Sequence, residues 1–277
     1  MIKKWGFAGL VLLVTFALGF ACEKKADTSK VVQKIVKVGI TGAETRPIWE
    51  VVQKNLDDGK SDIKIELVEF SDYTIPNQAL ADEEIDLNGF QHNAFLAAEI
   101  AAKKFQLTAI GDTMISFLGV YSDKIKNLQE LKKGDTIVIP NDATNGGRAL
   151  KVLEAAGIIK LDPAKGHLPT VADITSNPLD IKILEVDASQ VVRVLPDVAA
   201  GIANSNYIID AGKVPLDEAI FIKPIDKDAD KPYINILAAR TKDKDDPVYK
   251  AIVSAYQQPN VAEVIRTYYK GASLPAW

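Results

Sequence analysis

Two α/β units in tandem, folded as two lobes with a cleft between them, are what this 277-residue sequence predicts. Three observations predict it. β-branched runs alternate with helically spaced apolar residues from Ile35 to Phe105. The alternation restarts at Thr136 without a long linker, and a further stretch from Tyr233 closes the chain. Strand–helix alternation of this kind predicts a parallel sheet covered by helices.

Ile35–Ile40 is a β-branched run closed by Thr41-Gly42, and Ile48, Val51, Val52 and Leu56 then fall on one helical face. Ile63–Phe70 alternates apolar and charged residues, as a half-buried strand does. Pro76–Ile85 reads as a helix with proline in its first turn, Ile85–Phe90 as a short strand and Asn93–Phe105 as an alanine-rich helix. In the second unit Thr136–Pro140 is a buried-strand signal, and Gly147–Ala156 is a helix ended by Gly157. Ile181–Val186 reads as a strand, Ser189–Leu195 as a helix, Ala199–Ile202 as a short strand and Val248–Tyr269 as helical. Crossovers near Met114–Tyr121 and Phe221–Asn235 join the lobes, a preferred arrangement for small ligands and for hinge closure. The expected division is 1–21, 22–34, then one lobe of 35–115 plus 236–277 and another of 116–235.

The first segment is set apart by its chemistry. Lys3 and Lys4 precede an apolar run from Trp5 to Phe20, then Ala21 and the only cysteine, Cys22. A basic start, an apolar stretch shorter than a membrane span and a small boundary residue make a secretory signal. A cysteine directly after it is expected to be the lipid-modified first residue of a mature lipoprotein, held outside the cytoplasm at the membrane. An uncleaved anchor and ordinary cleavage near an incidental cysteine are the plainer alternatives. The polar stretch Glu23–Lys34 reads as a tether. Removing residues 1–21 takes the formal charge from −4 to −6, because Lys3 and Lys4 go and no acid does. That balance argues against a nucleic-acid surface. Once Cys22 carries lipid no cysteine remains for a disulfide, so stability must come from burial.

Motifs for catalysis are missing. His92 and His167 are neither a helical pair nor set beside acids at ligand spacing, so no metal is expected. There is no GxxxxGK[ST] loop and no GxSxG elbow. Two constellations suggest binding instead. In Asn141–Leu150 a strand ends, a glycine-containing turn follows, and a helix is expected to start with Arg148 in its first turn. Free N–H groups there would attract an anion, and Arg148 adds a fork suited to a carboxylate. An ordinary capped helix with a surface arginine is the bland reading. The second constellation is Phe90, His92 and Phe95 with Tyr73 upstream, each just past the carboxyl end of an expected strand. An anion grip and an aromatic slot together fit a small zwitterion, an amino acid.

At these residues the chain resembles the methionine-binding lipoprotein family (NlpA/MetQ type), the substrate-binding components of ABC importers. The resemblance runs from about Val36 to Trp277. Its carriers are EFSDYTIPNQAL (Glu69–Leu80), GFQH (Gly89–His92), IPNDATNGGRAL (Ile139–Leu150), LPTVADITSNP (Leu168–Pro178) and YINILAAR (Tyr233–Arg240). It implies a two-lobed type II periplasmic-binding-protein fold and a monomer, lipid-anchored on the extracytoplasmic face, that needs no cofactor. It also implies a ligand delivered to a permease with its ATPase. By this resemblance Arg148 holds the ligand carboxylate, with Asn145 in the same motif. Asn204 and Asn235 fix the ammonium and carboxylate, and Tyr73, Phe90 and His92 surround the side chain.

The chain departs from the family pattern where Asn93-Ala94-Phe95 replaces Lys-Pro-Tyr, so Phe95 keeps a ring and loses a hydroxyl. Asp197–Gly201 is also smaller and less acidic than usual. L-methionine is the expected ligand, with D-methionine, a methionine-containing dipeptide or another apolar amino acid as alternatives. An enzyme on the same scaffold, and a surface adhesin or structural lipoprotein with a vestigial pocket, are the readings of a different class.

Overall fold

The computed structural model describes residues 33–226 and 228–277. The expected signal, the lipid site at Cys22 and nearly all of the tether lie outside the described residues. Along the chain come β1 (Lys34–Thr41), α1 (Arg46–Asp58), β2 (Ile63–Phe70), α2 (Pro76–Ala81), β3 (Leu87–Asn88), α3 (Asn93–Lys103) and β4 (Leu107–Asp112). Then follow β5 (Met114–Ser116), β6 (Leu118–Tyr121), β7 (Thr136–Pro140), α4 (Ala143–Ala155), β8 (Lys160–Leu161), β9 (Ile174–Ser176) and β10 (Lys182–Val186). Next are α5 (Val191–Val194), β11 (Ala200–Asn204), α6 (Ser205–Asp210), α7 (Pro215–Glu218) and β12 (Ala219–Ile222). The chain closes with β13 (Ile236–Arg240), α8 (Pro247–Tyr256), α9 (Pro259–Tyr268) and β14 (Ser273–Pro275).

Two five-stranded sheets organise these elements, ordered β2-β1-β3-β13-β4 and β10-β7-β11-β6-β12. The fold is two-lobed, one lobe on each sheet, and the chain crosses between them at 113–118 and again at 223–235. The expectation of parallel sheets holds for β2-β1-β3 and β10-β7-β11. It fails for the rest. β13 runs antiparallel to β3 and β4, and β6 antiparallel to β11 and β12. Both are crossing strands, which enter their sheet from the opposite end.

Each sheet buries its own core. In the first lobe Val36, Val38 and Ile40 pack with Ile48, Trp49 and Val52 of α1 and Ile252 and Tyr256 of α8. In the second Ile137 and Ile139 of β7 meet Leu150 and Leu153 of α4 and Ile202 of β11. Burying such side chains contributes about 1.5–3 kcal/mol each.

Several element ends differ from expectation, each for a physical reason. β1 takes in Lys34, assigned above to the tether. α2 stops at Ala81, four residues early, because Glu83 adopts a left-handed φ of 63°. β3 is only two residues long. α3 stops at Lys103, because Lys104 is also left-handed. Only Val191–Val194 of the expected 189–195 helix is α-helical, with 3-10 turns on both sides. The C-terminal stretch is two helices, broken where Pro259 cannot donate to the preceding turn.

Candidate functional site

The carboxyl ends of the parallel strands converge on one cavity between the lobes. From the first lobe, the end of β1 and the turn after it bring Thr41, Glu44 and Thr45, the turn after β2 brings Tyr73, the turn after β3 brings Phe90 and His92, and α3 brings Phe95. From the second, α4 brings Asn145 and Arg148, and the β11–α6 junction brings Asn204, Ser205 and Asn206. The crossovers add Met114, Ser116 and Asn235. All eight residues expected at the site, Tyr73, Phe90, His92, Phe95, Asn145, Arg148, Asn204 and Asn235, line this one cavity.

One wall is aromatic. The Tyr73 ring lies 5.8 Å from Phe90 and 6.0 Å from Phe95, and Phe90 and Phe95 stand edge to face at 5.9 Å. Tyr207 lies tilted against Tyr73, with ring centres 5.2 Å apart. Such ring pairs favour tilted and edge-on geometry over a sandwich. A closed amide network beneath this wall, Asn77, Asn88 and Gln91, fixes the turn from which Phe90 and His92 project.

His92 has a settled tautomer. Its Nδ1 accepts the Phe95 backbone N–H at 3.0 Å, capping α3, so the proton sits on Nε2, 3.4 Å from Asn145 Oδ1 across the cleft. Burial, and then the nearby Arg148 charge, pull the imidazole down from 6.5 to about 3. Asn145 is oriented in turn. Its Nδ2 donates to both Asp142 carboxylate oxygens at 3.1 and 3.0 Å, which aims Oδ1 at His92 and at Asn204 Nδ2, 2.9 Å away.

The expected anion-binding helix start is not found. α4 begins at Ala143, four residues before Gly147, and Arg148 stands in its second turn. The Asp142 carboxylate already accepts from the N–H groups of Thr144 and Asn145. Gly146 and Gly147 lie inside the helix because it is pressed against backbone. A Cβ on Gly146 would meet the Pro140 carbonyl oxygen at 2.8 Å, and one on Gly147 the Pro169 oxygen at 3.1 Å.

Arg148 supplies the positive end by its side chain alone. Its Nη2 donates to the Ser116 carbonyl at 2.6 Å, and the guanidinium lies 4.6 Å over the Tyr233 ring. Arg46 and Arg240 both pair with carboxylates, whereas no ion pair among the described residues includes Arg148. Burial lowers its affinity for the proton, partly offset by Tyr233 and Asp230. A half-buried guanidinium without an ion-pair partner among the described residues is suited to gripping a carboxylate. Among the described residues no group of three His, Cys, Asp or Glu side chains is placed to hold a metal.

Sequence reasoning missed part of the wall. Glu44, Thr45, Asn206 and Tyr269 all line the cavity, and each has a buried polar atom without a hydrogen-bond partner among the described residues. Asn204 Oδ1 is a fifth such atom, facing the same space. The rule that flagged Tyr73 and Phe90, a position just past a strand's carboxyl end, applies equally to Glu44 after β1. Asn206 accepts the Tyr73 hydroxyl at 2.7 Å, a bond between lobes.

A sequence model described as NlpA lipoprotein matches residues 36–277. The chain belongs to the NlpA lipoprotein family. Among curated members it is 38% identical over 244 residues to the D-methionine-binding lipoprotein MetQ of Escherichia coli O157:H7, covering 87% of this chain and 88% of that protein. A solved structure of a nutrient binding protein from Burkholderia cenocepacia bound to methionine superposes with a TM-score of 0.82 at 38% identity, covering 87% of this chain and all of that one. The substrate binding protein of a methionine transporter from Streptococcus pneumoniae does so at 0.81 and 34%, covering 88% and 96%. This NlpA-family chain therefore shares the two-lobed fold along nearly the whole length of those proteins. No helix among its described residues is long and apolar enough to cross a membrane.

Proposed function

We propose that this NlpA-family protein captures methionine between its lobes, as the extracytoplasmic substrate-binding component of an ABC importer, and delivers it to the permease and its ATPase. The observation that carries the reading is an uncompensated Arg148 facing a cavity with an aromatic wall. Arg148 holds the ligand carboxylate. Asn145, Asn204 and Asn235 fix the carboxylate and ammonium, and Tyr73, Phe90, His92 and Phe95 enclose the thioether side chain. The relatives named above, a D-methionine-binding lipoprotein, a binding protein bound to methionine and the binding protein of a methionine transporter, support the same class of ligand.

In this reading Cys22 carries the lipid and residues 1–21 are removed. One lobe is 35–115 with 236–277, the other is 116–235, and the protein works as a monomer. L-methionine is the proposed ligand, because the amide and guanidinium grip recognises any α-amino acid and the ring slot selects an apolar, polarisable side chain. The test is a native mass spectrum of residues 23–277 followed by identification of whatever denaturation releases. A stoichiometric mass of methionine, resolved on a chiral column as the L form, is the expected result. Release of D-methionine, a dipeptide or another amino acid would reassign the specificity. An empty protein that ignores a panel of amino acids would end the reading.

A further inference from the structure

Glu44 is the one acid whose side chain is buried in the cavity wall without a cation. It sits in the turn between β1 and α1, 5% exposed, and its Oε2 has no hydrogen-bond partner among the described residues. The group facing it comes from the other lobe. Asp210 ends α6, and its carboxylate accepts the backbone N–H of Ala43.

Gly42 stands between the two acids with a left-handed φ of 77°. A Cβ there would lie 2.2 Å from Asp210 Oδ2 and 2.6 Å from Glu44 Oε2. The two carboxylate oxygens are therefore less than about 5 Å apart, a separation at which joint ionisation is disfavoured. The other charged or titratable groups around Glu44 do not relieve this. They are Glu69 and the phenols of Tyr73, Tyr207, Tyr256 and Tyr269. The nearest arginine on α1, Arg46, is already bonded to Glu69 at 2.7 Å.

We infer that Glu44 couples cleft closure to protonation: when the lobes shut on ligand, Asp210 comes over Glu44, and Glu44 takes one proton from solvent as an O–H. The inference rests on the binding reading above. In the open cleft Glu44 faces water and ionises as an ordinary carboxyl. In the closed form, burial first and Asp210 second hold it at about 8 rather than 4.5. An acid raised by closure favours the closed form at low pH, and that advantage is lost as pH rises through about 8. His92 acts in the opposite sense but only below its ordinary 6.5, so the interval from 6.5 to 8 belongs to Glu44.

The test is calorimetry of methionine binding to the full chain in detergent at pH 7, in buffers of differing ionisation enthalpy. Wild type should take up more than half a proton per ligand, and its apparent Kd should rise several-fold, at most tenfold, per pH unit between 6.5 and 8. Glu44→Gln should take up none and show a flat profile. Asp210→Asn, at the exposed rim, is the second variant and should move the pH dependence to lower pH. Zero uptake in wild type, or equal uptake in Glu44→Gln, overturns the inference. Absence of any methionine binding would overturn the binding reading and this inference with it, whereas binding without proton uptake overturns this inference alone.

Discussion

Arg148 and His92 divide the work at the residue scale, one always charged and the other kept neutral. Arg148 donates to the Ser116 carbonyl and lies over the Tyr233 ring, and no ion pair among the described residues takes up its fork; in the proposed reading that fork holds the ligand carboxylate. Arg148→Ala should weaken methionine binding by about 2–5 kcal/mol, the range for truncating one side of a buried charge pair, as read by calorimetry. Near-wild-type affinity would remove the role. His92 is a base whose closed-state value, about 3, lies below its ordinary 6.5. Its neutral form is what closure requires, so its contribution is present above 6.5 and is lost as pH falls from there toward 3. In the Glu44→Gln background, where the opposing carboxyl no longer titrates, affinity should therefore decline below pH 6.5. Adding His92→Asn keeps a residue able to cap α3 and removes the titration, so the profile of the double variant over that interval should be flat.

At the scale of elements, α4 shows what a sequence does and does not declare. The strands were legible because β-branched runs bounded by turn residues leave few alternatives, and Ile63–Phe70 and Thr136–Pro140 are strands over the expected residues. The start of α4 was not legible. Gly146-Gly147 reads locally as a break, and only the approach of the Pro140 and Pro169 carbonyls explains glycine inside a helix. The aromatic residues past β2 and β3 were readable from position and type. Glu44 meets the same positional rule but not the residue type, since a lone acid in a turn usually faces water and here it is buried.

Asp142 does two things for this element, capping the helix and holding the Asn145 amide with both oxygens. The two roles separate by substitution. Asp142→Ala should cost about 0.5–2 kcal/mol of stability by denaturant unfolding and also weaken methionine binding. Asp142→Ser keeps a cap and should retain most of the stability, while Asn145 loses its second anchor and affinity still falls. Equal affinity in the serine variant and wild type would show that Asn145 needs no orientation.

For the whole molecule, the question is how two lobes on separate sheets open without losing their cores. The crossing segments lie side by side: Thr113 N donates to Asn235 O, and Asn235 N to Met114 O, both at 2.8 Å. β14 adds a second ladder on β5, with Ser116 and Ser273 hydroxyls 2.7 Å apart. Bending at such paired strands leaves both cores intact, which makes the motion a hinge rather than a shear. What opposes opening is then the set of bonds across the cleft mouth. Tyr73 to Asn206 at 2.7 Å is the shortest of those described above, and the Asn206 Nδ2 has no partner among the described residues. Removing the Tyr73 hydroxyl leaves the ring wall in place and the Asn206 amide unpaired at both ends. Tyr73→Phe should therefore act on closure rather than on contact with ligand, costing about 0.5–1.5 kcal/mol of affinity. Small-angle scattering distinguishes the two. Methionine should reduce the radius of gyration of wild type, and the ligand-free Tyr73→Phe protein should be more expanded than ligand-free wild type. Saturating methionine should then bring both to the same compact value. A variant that loses affinity with an unchanged ligand-free radius would place the hydroxyl against the ligand and not at the latch.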